Sequence, residues 1–235
     1  MIRFLRRFDP QFIRLLVFDL DGTLIDSRLD LIHSVNATLR HIGRPELDGE
    51  LVASYVGDGA PALVQRALGD ADENTDENSE ALLARALEYF LGYYRQHKLD
   101  HTTVYDGIPE VLAGLAQPSN GARRLMAVLS NKPVNPSRDI LRALGLGDFF
   151  LRVYGGNSFS TKKPDPLGVS TILRETGVAA NEALMIGDSA VDVLTGRNAG
   201  LWTCGVTYGF APHTLQEAPP DVLVETPREL GELLG

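Results

Sequence analysis

Four short clusters in this sequence carry side chains that could do chemistry together. Asp19 and Asp21 follow the apolar run Leu16-Val17-Phe18 and precede Gly22 and Thr23. Ser130 and Asn131 follow a second apolar run, Leu125 to Leu129. Lys162-Lys163-Pro164-Asp165-Pro166 comes next, and then Gly187-Asp188-Ser189 with Asp192 four positions beyond Asp188. Residues two apart on a strand share a face, so Asp19 and Asp21 can act as a pair. Carboxylates, hydroxyls and a lysine make a poor structural cluster, because unpaired charge is expensive to bury. A divalent cation and a phosphoryl group satisfy all of them. The acids suit octahedral Mg²⁺ that keeps several waters, and a lysine of the Lys162-Lys163 pair with the Thr23 and Ser130 hydroxyls suits phosphate oxygens. Each cluster also has a plainer reading. The Asp and Ser residues can cap helices, and the lysine pair can be a solvated loop.

These groups meet only if the elements carrying them deliver them to one place. Apolar runs of four to eight residues bounded by turn residues read as buried parallel strands. Such runs occur at 16–18, 125–129, 151–154, 183–186, 202–206 and 221–224, with helical stretches between most of them. Strands alternating with helices predict a doubly wound α/β fold. Parallel strands put the acids, Ser130-Asn131 and Asp188 along one carboxyl edge, where open α/β sheets bind ligands.

One block breaks the alternation. From Ser27 to about Asp100 nothing reads as a strand, and three helical stretches follow one another. The first carries Leu29, Ile32, Val35, Leu39 and Ile42 at spacings of three and four, an apolar stripe. The others run from Ala60 to Leu68 and through Leu82, Leu83, Ala86, Leu87, Phe90, Leu91 and Tyr94. The expected organisation is therefore an α/β core of residues 1–26 and 101–235 with an all-helical cap, 27–100, inserted after the first strand. The acidic stretch Asp70 to Glu80 reads as a loop between cap helices, and Arg3, Arg6 and Arg7 as a solvated lead-in to the first strand.

Composition narrows the function. The 235 residues are 44% hydrophobic and 23% charged, ordinary for a globular protein with ample core. A net charge of -9 argues against nucleic acid or anionic lipid as partner. No run approaches the roughly 18 apolar residues of a membrane span. The lone cysteine, Cys204, allows no internal disulfide and fits a reducing, cytoplasmic setting. Monomer and homodimer both remain open.

Taken together, Asp19-x-Asp21-Gly22-Thr23, Ser130-Asn131, Lys163-Pro164 and Gly187-Asp188-Ser189 with Asp192 resemble the haloacid dehalogenase superfamily, in the branch with a helical cap inserted after the first strand. The resemblance covers nearly everything from residue 14 onward. Val56-Gly57-Asp58-Gly59-Ala60, Ser130-Asn131-Lys132-Pro133, Lys162 to Pro166 and Val206-Thr207-Tyr208-Gly209 are most similar to its phosphoglycolate phosphatase subgroup. The resemblance implies Asp19 as nucleophile forming an aspartyl-phosphate, and Asp21 as general acid and base. It implies Mg²⁺ held by Asp19, the Asp21 carbonyl and Asp188, with Asp192 supporting. It further implies that Ser130, Asn131 and Lys163 grip the phosphoryl oxygens of a small phosphorylated substrate, and that Gly57, Asp58 and Gly59 of the cap select it. Asp21 argues against dehalogenase chemistry, which lacks the second acid. The superfamily's mutases carry a cap histidine where this chain has Leu31, although His33 lies nearby. Pyrophosphatase and nucleotidase activities remain open, as does a non-catalytic phosphate-binding role.

Overall fold

The computed structural model describes residues 1–69, 79–117 and 124–235. The chain opens with β1 (Arg3–Phe4), β2 (Leu15–Phe18) and β3 (Ile25–Asp26). Four helices follow: α1 (Arg28–His41), α2 (Gly49–Ser54), α3 (Ala60–Leu68) and α4 (Ser79–His97). Then come β4 (Thr103–Val104), α5 (Ile108–Leu115), β5 (Leu125–Leu129), α6 (Val134–Ala143) and β6 (Arg152–Tyr154). The chain closes with α7 (Leu167–Thr176), β7 (Ala183–Gly187), α8 (Ala190–Asn198), β8 (Trp202–Val206), β9 (Val222–Val224) and α9 (Pro227–Leu234). The acidic stretch expected as a loop lies almost wholly within 70–78, outside the described residues.

The described chain divides into two compact units, 1–26 with 103–235, and 27–102. The first holds a seven-stranded sheet in the order β1-β9-β8-β7-β2-β5-β6. Its strands are parallel except β1, which pairs antiparallel with β9 through Arg3 opposite Leu223 and Phe4 opposite Val222. The arginine-bearing N-terminus is thus not a free lead-in. It finishes the sheet edge, and Arg6 lies over the Trp202 ring while pairing with Asp221.

The alternation of the central strands explains why their apolar runs are unbroken. Leu16 and Phe18 of β2, Met126 and Val128 of β5, and Leu184 and Ile186 of β7 enter one core with residues of α5, α6 and α9. Leu15, Val17, Ala127, Leu129, Ala183 and Met185 point into a second core with Val169 and Ile172 of α7. A sheet covered on both faces needs apolar side chains at every position. The register is the part that serves function. Phe18 lies opposite Val128 on one side and Ile186 on the other, so β2, β5 and β7 end level.

The second unit is helical, with α1 packed on α4 and on α2. Leu31, Val35 and Leu39 of α1 and Leu82, Ala86, Phe90 and Tyr94 of α4 are buried. The predicted stripe on α1 is off by part of a turn, because Leu29 is 51% exposed and Leu31 is buried instead. Polar groups set the difference. Ser34 and Thr38 donate to the carbonyls of Asp30 and Ser34, one turn back, and so enter the interior satisfied. Asp30, buried on that face, accepts from the amides of His101 and Thr102 and from the Thr102 hydroxyl. Those bonds draw residues 101 and 102 into the helical unit, two residues beyond the boundary expected from sequence.

Asp30→Ala leaves buried amide and hydroxyl donors without an acceptor and is expected to cost about 1–3 kcal/mol. Leu29→Ala, one residue away and exposed, should stay within about 0.5 kcal/mol. Urea unfolding of both variants measures the contrast, and equal costs would show that the sequence-derived face is the buried one.

Candidate active site

The level ends of β2, β5 and β7 deliver three of the sequence clusters to one edge. Asp19 is the first residue past β2, and its amide donates to the Ile186 carbonyl of β7 at 2.8 Å. Asp188 follows β7 directly, and Ser130 follows β5. Carboxylate oxygens of Asp19, Asp188 and Asp192 all lie within 4.8 Å of one another, and all three residues are buried.

Lys163 ties this group together. Its Nζ lies 2.8 Å from Asp19 Oδ1 and 2.6 Å from Asp192 Oδ1, with the side chain 3% exposed. Asn131 holds the lysine's backbone from both sides: its Oδ1 accepts from the Lys163 amide at 3.0 Å, and its Nδ2 donates to the Lys163 carbonyl at 3.2 Å. The carboxamide thus positions the Lys163 backbone at the edge where Ser130 and Asp19 stand. Asp192 is likewise engaged. Its Oδ2 accepts from the Ser189 amide and hydroxyl at the start of α8, while Oδ1 holds Lys163. Both of its oxygens are thereby fixed in place beside Asp19 and Asp188.

Asp188 is pinned through Oδ2, which accepts from the amides of Phe210 at 2.5 Å and Ala211 at 3.1 Å. The backbone around it is too close for side chains. A Cβ on Gly22, whose φ is +80°, would stand 2.2 Å from Asp188 Oδ2, and one on Gly209 would stand 2.3 Å from Asp188 Cβ. Gly209 lies in the Val206 to Gly209 segment, whose part in the site the sequence reading missed.

Lys132 is the second residue missed. It was passed over as part of the turn after Ser130-Asn131, yet its Nζ stands 2.9 Å from Asp21 Oδ2 with the lysine side chain 5% exposed. The signal is positional: a lysine three residues beyond the end of β5 falls beside the carboxyl end of β2, its neighbour in the sheet. Ser130 is 3% exposed, and its hydroxyl accepts from the Lys132 amide at 3.3 Å. Thr23 is fully buried, and its hydroxyl has no hydrogen-bond partner among the described residues. Gly57, Asp58 and Gly59 belong to the helical unit, between α2 and α3, where Asp58 pairs with Arg66.

Charge balance decides what the site can hold. Asp19, Asp21, Asp188 and Asp192 face two ammonium groups, those of Lys132 and Lys163. Burial pushes the Asp19 carboxyl up to about 6, against the pull of Lys163. Burial, reinforced by Asp192 and Asp19, pushes Asp188 up to about 8. Lys163 is held above the ordinary lysine range because its two acids outweigh its burial. With all four acids ionised, as above about pH 8, four carboxylates against two lysines leave an excess of two negative charges. A divalent cation with oxygen ligands cancels that excess, and the donor set fits one.

These features agree with what the chain is similar to. Residues 16–206 match the haloacid dehalogenase-like hydrolase family. The chain belongs to that family. Within it the chain stands among the phosphatases. It is 37% identical over 228 residues to the phosphoglycolate phosphatase of Vibrio parahaemolyticus, covering 96% of this chain and 97% of that protein. It is also 37% identical over 222 residues to the phosphoglycolate phosphatase of Chromobacterium violaceum, covering 94% and 96%. The crystal structure of a predicted phosphoglycolate phosphatase from Haemophilus somnus superposes with a TM-score of 0.87 at 29% identity, over 95% of this chain and 99% of that one.

A carboxyl raised in the folded state favours folding while it is protonated, and that contribution fades as pH climbs through the raised value. With divalent cations chelated, the melting temperature should therefore fall between about pH 5 and about pH 8, the span set by Asp19 near 6 and Asp188 near 8. Asp188→Asn should flatten the upper part of that slope. Calorimetry of both proteins across the pH range checks it, and parallel slopes would contradict the charge balance drawn here.

Proposed function

We propose that this chain is a Mg²⁺-dependent phosphomonoester hydrolase whose substrate is a small organic phosphate, 2-phosphoglycolate. The observation that carries the reading is the buried set of Asp19, Asp188 and Asp192 around Lys163. Support for the substrate comes from relatives named phosphoglycolate phosphatase that align along nearly the whole chain.

In this reading Asp19 attacks phosphorus through a carboxylate oxygen. The ester P–O bond breaks, leaving the phosphoryl group on Asp19 as an aspartyl-phosphate. Asp21 gives its proton to the departing alkoxide oxygen, then takes one from the water that attacks the phosphoenzyme and releases phosphate. Lys132 keeps the Asp21 carboxyl aimed between these two transfers. Lys163, Asn131, the Ser130 hydroxyl and the Thr23 hydroxyl hold the phosphoryl oxygens, and Asn131 also positions the Lys163 backbone. Asp19, the Asp21 carbonyl and Asp188 would hold Mg²⁺, with Asp192 fixing the surroundings. Bound there, the cation lets an anionic nucleophile meet an anionic ester, which Coulomb repulsion otherwise opposes. Choice of ester is assigned to Gly57, Asp58 and Gly59 of the helical unit.

Three measurements test the proposal. Asp19→Asn should keep the far-ultraviolet circular dichroism of the parent and lose at least about a thousandfold in kcat. Activity within tenfold of the parent would overturn the nucleophile assignment. A kcat/KM panel over 2-phosphoglycolate, pyrophosphate, nucleotides and hexose phosphates should peak at 2-phosphoglycolate and vanish on chelation of Mg²⁺. Asp58→Ala should change the ranking within that panel while hydrolysis of p-nitrophenyl phosphate is kept.

A further inference from the structure

The helical unit carries a second group of metal-ligating side chains, unrelated to the acidic cluster. Asp30 and His33 are three apart on α1 and so share a side of that helix. His101, 71 residues beyond Asp30, comes back beside them. Donor atoms of Asp30, His33 and His101 all lie within 4.8 Å of one another, and the two imidazole rings stand edge to face with centroids 5.0 Å apart.

The hydrogen bonds divide the labour among the three. Both Asp30 oxygens are occupied: Oδ1 and Oδ2 share the His101 amide, and Oδ2 also takes the Thr102 amide at 2.9 Å and the Thr102 hydroxyl at 2.7 Å. Oδ1 contacts His101 Nδ1 at 3.0 Å as well. A carboxylate only accepts, so the proton of a neutral His101 sits on Nδ1 and the lone pair sits on Nε2. A carboxylate behind a histidine that fixes its tautomer and its ring orientation is what a metal-bound imidazole needs. Asp30 is 2% exposed while His33 is exposed and the His101 side chain is 47% exposed. A buried anchor thus presents open imidazoles to solvent.

We propose that His33 and His101 form a site for an imidazole-preferring divalent cation of the zinc class, with Asp30 as the orienting carboxylate and water filling the remaining positions. Imidazole donors suit Zn²⁺, Cu²⁺ and Ni²⁺, whereas Mg²⁺ takes oxygen. The two sites therefore differ in the ions they select. Two ring nitrogens on one tetrahedral zinc stand about 3.3 Å apart, a closure that a side-chain torsion of the exposed His33 supplies. An ion held there joins α1 to the segment by which the chain leaves the helical unit.

The test uses the full chain with Zn²⁺ as the probe and excess Mg²⁺ present. Isothermal titration should find one zinc equivalent in the wild type, and the same equivalent in Asp188→Asn, where zinc on the acidic cluster is weakened. His33→Ala and His101→Ala should each weaken binding at least tenfold, while His41→Ala leaves it unchanged. Nitrogen-15 spectra of the histidine rings should move His101 Nε2 on zinc addition with Nδ1 still protonated. Failure to bind zinc beside Mg²⁺, loss of the equivalent in Asp188→Asn, or unchanged binding in His33→Ala overturns the site. No turnover is measured, so the outcome is independent of the phosphatase reading.

Discussion

A single ammonium group, that of Lys163, sits between two carboxylates in a region closed to solvent, and much of the core unit is arranged to keep it there. A buried charge without partners costs several kcal/mol, and the loss of one partner strands the other. The lysine is accordingly fixed at both ends. Asn131 binds its amide and its carbonyl, while Asp19 and Asp192 bind its Nζ. Asp192 in turn is oriented by the first turn of α8, through the Ser189 amide and hydroxyl. Asp19 is oriented by the level ends of β2 and β7. A slip of one residue in that register would send every β2 side chain to the opposite face and carry Asp19 away from the lysine.

The same arrangement keeps negative charge in excess. Two lysines against four acids would be a fault in a purely structural cluster, and burial, with the neighbouring acids adding to it, raises the carboxyls of Asp19 and Asp188. Folding stability and ligand binding draw on the same few groups here. The sheet tolerates the strain because both its faces are apolar and well filled, so the cost at one edge is carried by packing elsewhere.

Much of this was legible in the sequence, for reasons that can be named. Asp19, Asp188 and Lys163 stand directly beside apolar runs or prolines, and a parallel sheet with both faces covered leaves those runs no other reading. The helical insert was equally plain, because seventy-odd residues without a strand pattern cannot belong to an alternating sheet. What escaped depended on pairing across the fold. In sequence Lys132 reads as part of a turn, and only the fold stands it beside Asp21, just as only the fold brings the Asn131 carboxamide to the Lys163 backbone. The rotation of α1 followed from Asp30, whose partners arrive 71 residues later. The N-terminal arginines read as solvated because a two-residue edge strand has no periodicity to detect. Glycines such as Gly22 and Gly209 gain their meaning only from what would collide with a side chain there.

The short ladder of β3 and β4 places Ile25 opposite Val104 and Asp26 opposite Thr103. On the helical side of the same junction, Asp30 grips residues 101 and 102. Departure and return of the inserted segment are therefore stitched together twice, once in each unit. Chain entropy for closing the long excursion is met locally, at a point that asks nothing of the seven-stranded sheet. An insert of another length could leave and return between these two sets of contacts with the β3–β4 register unchanged.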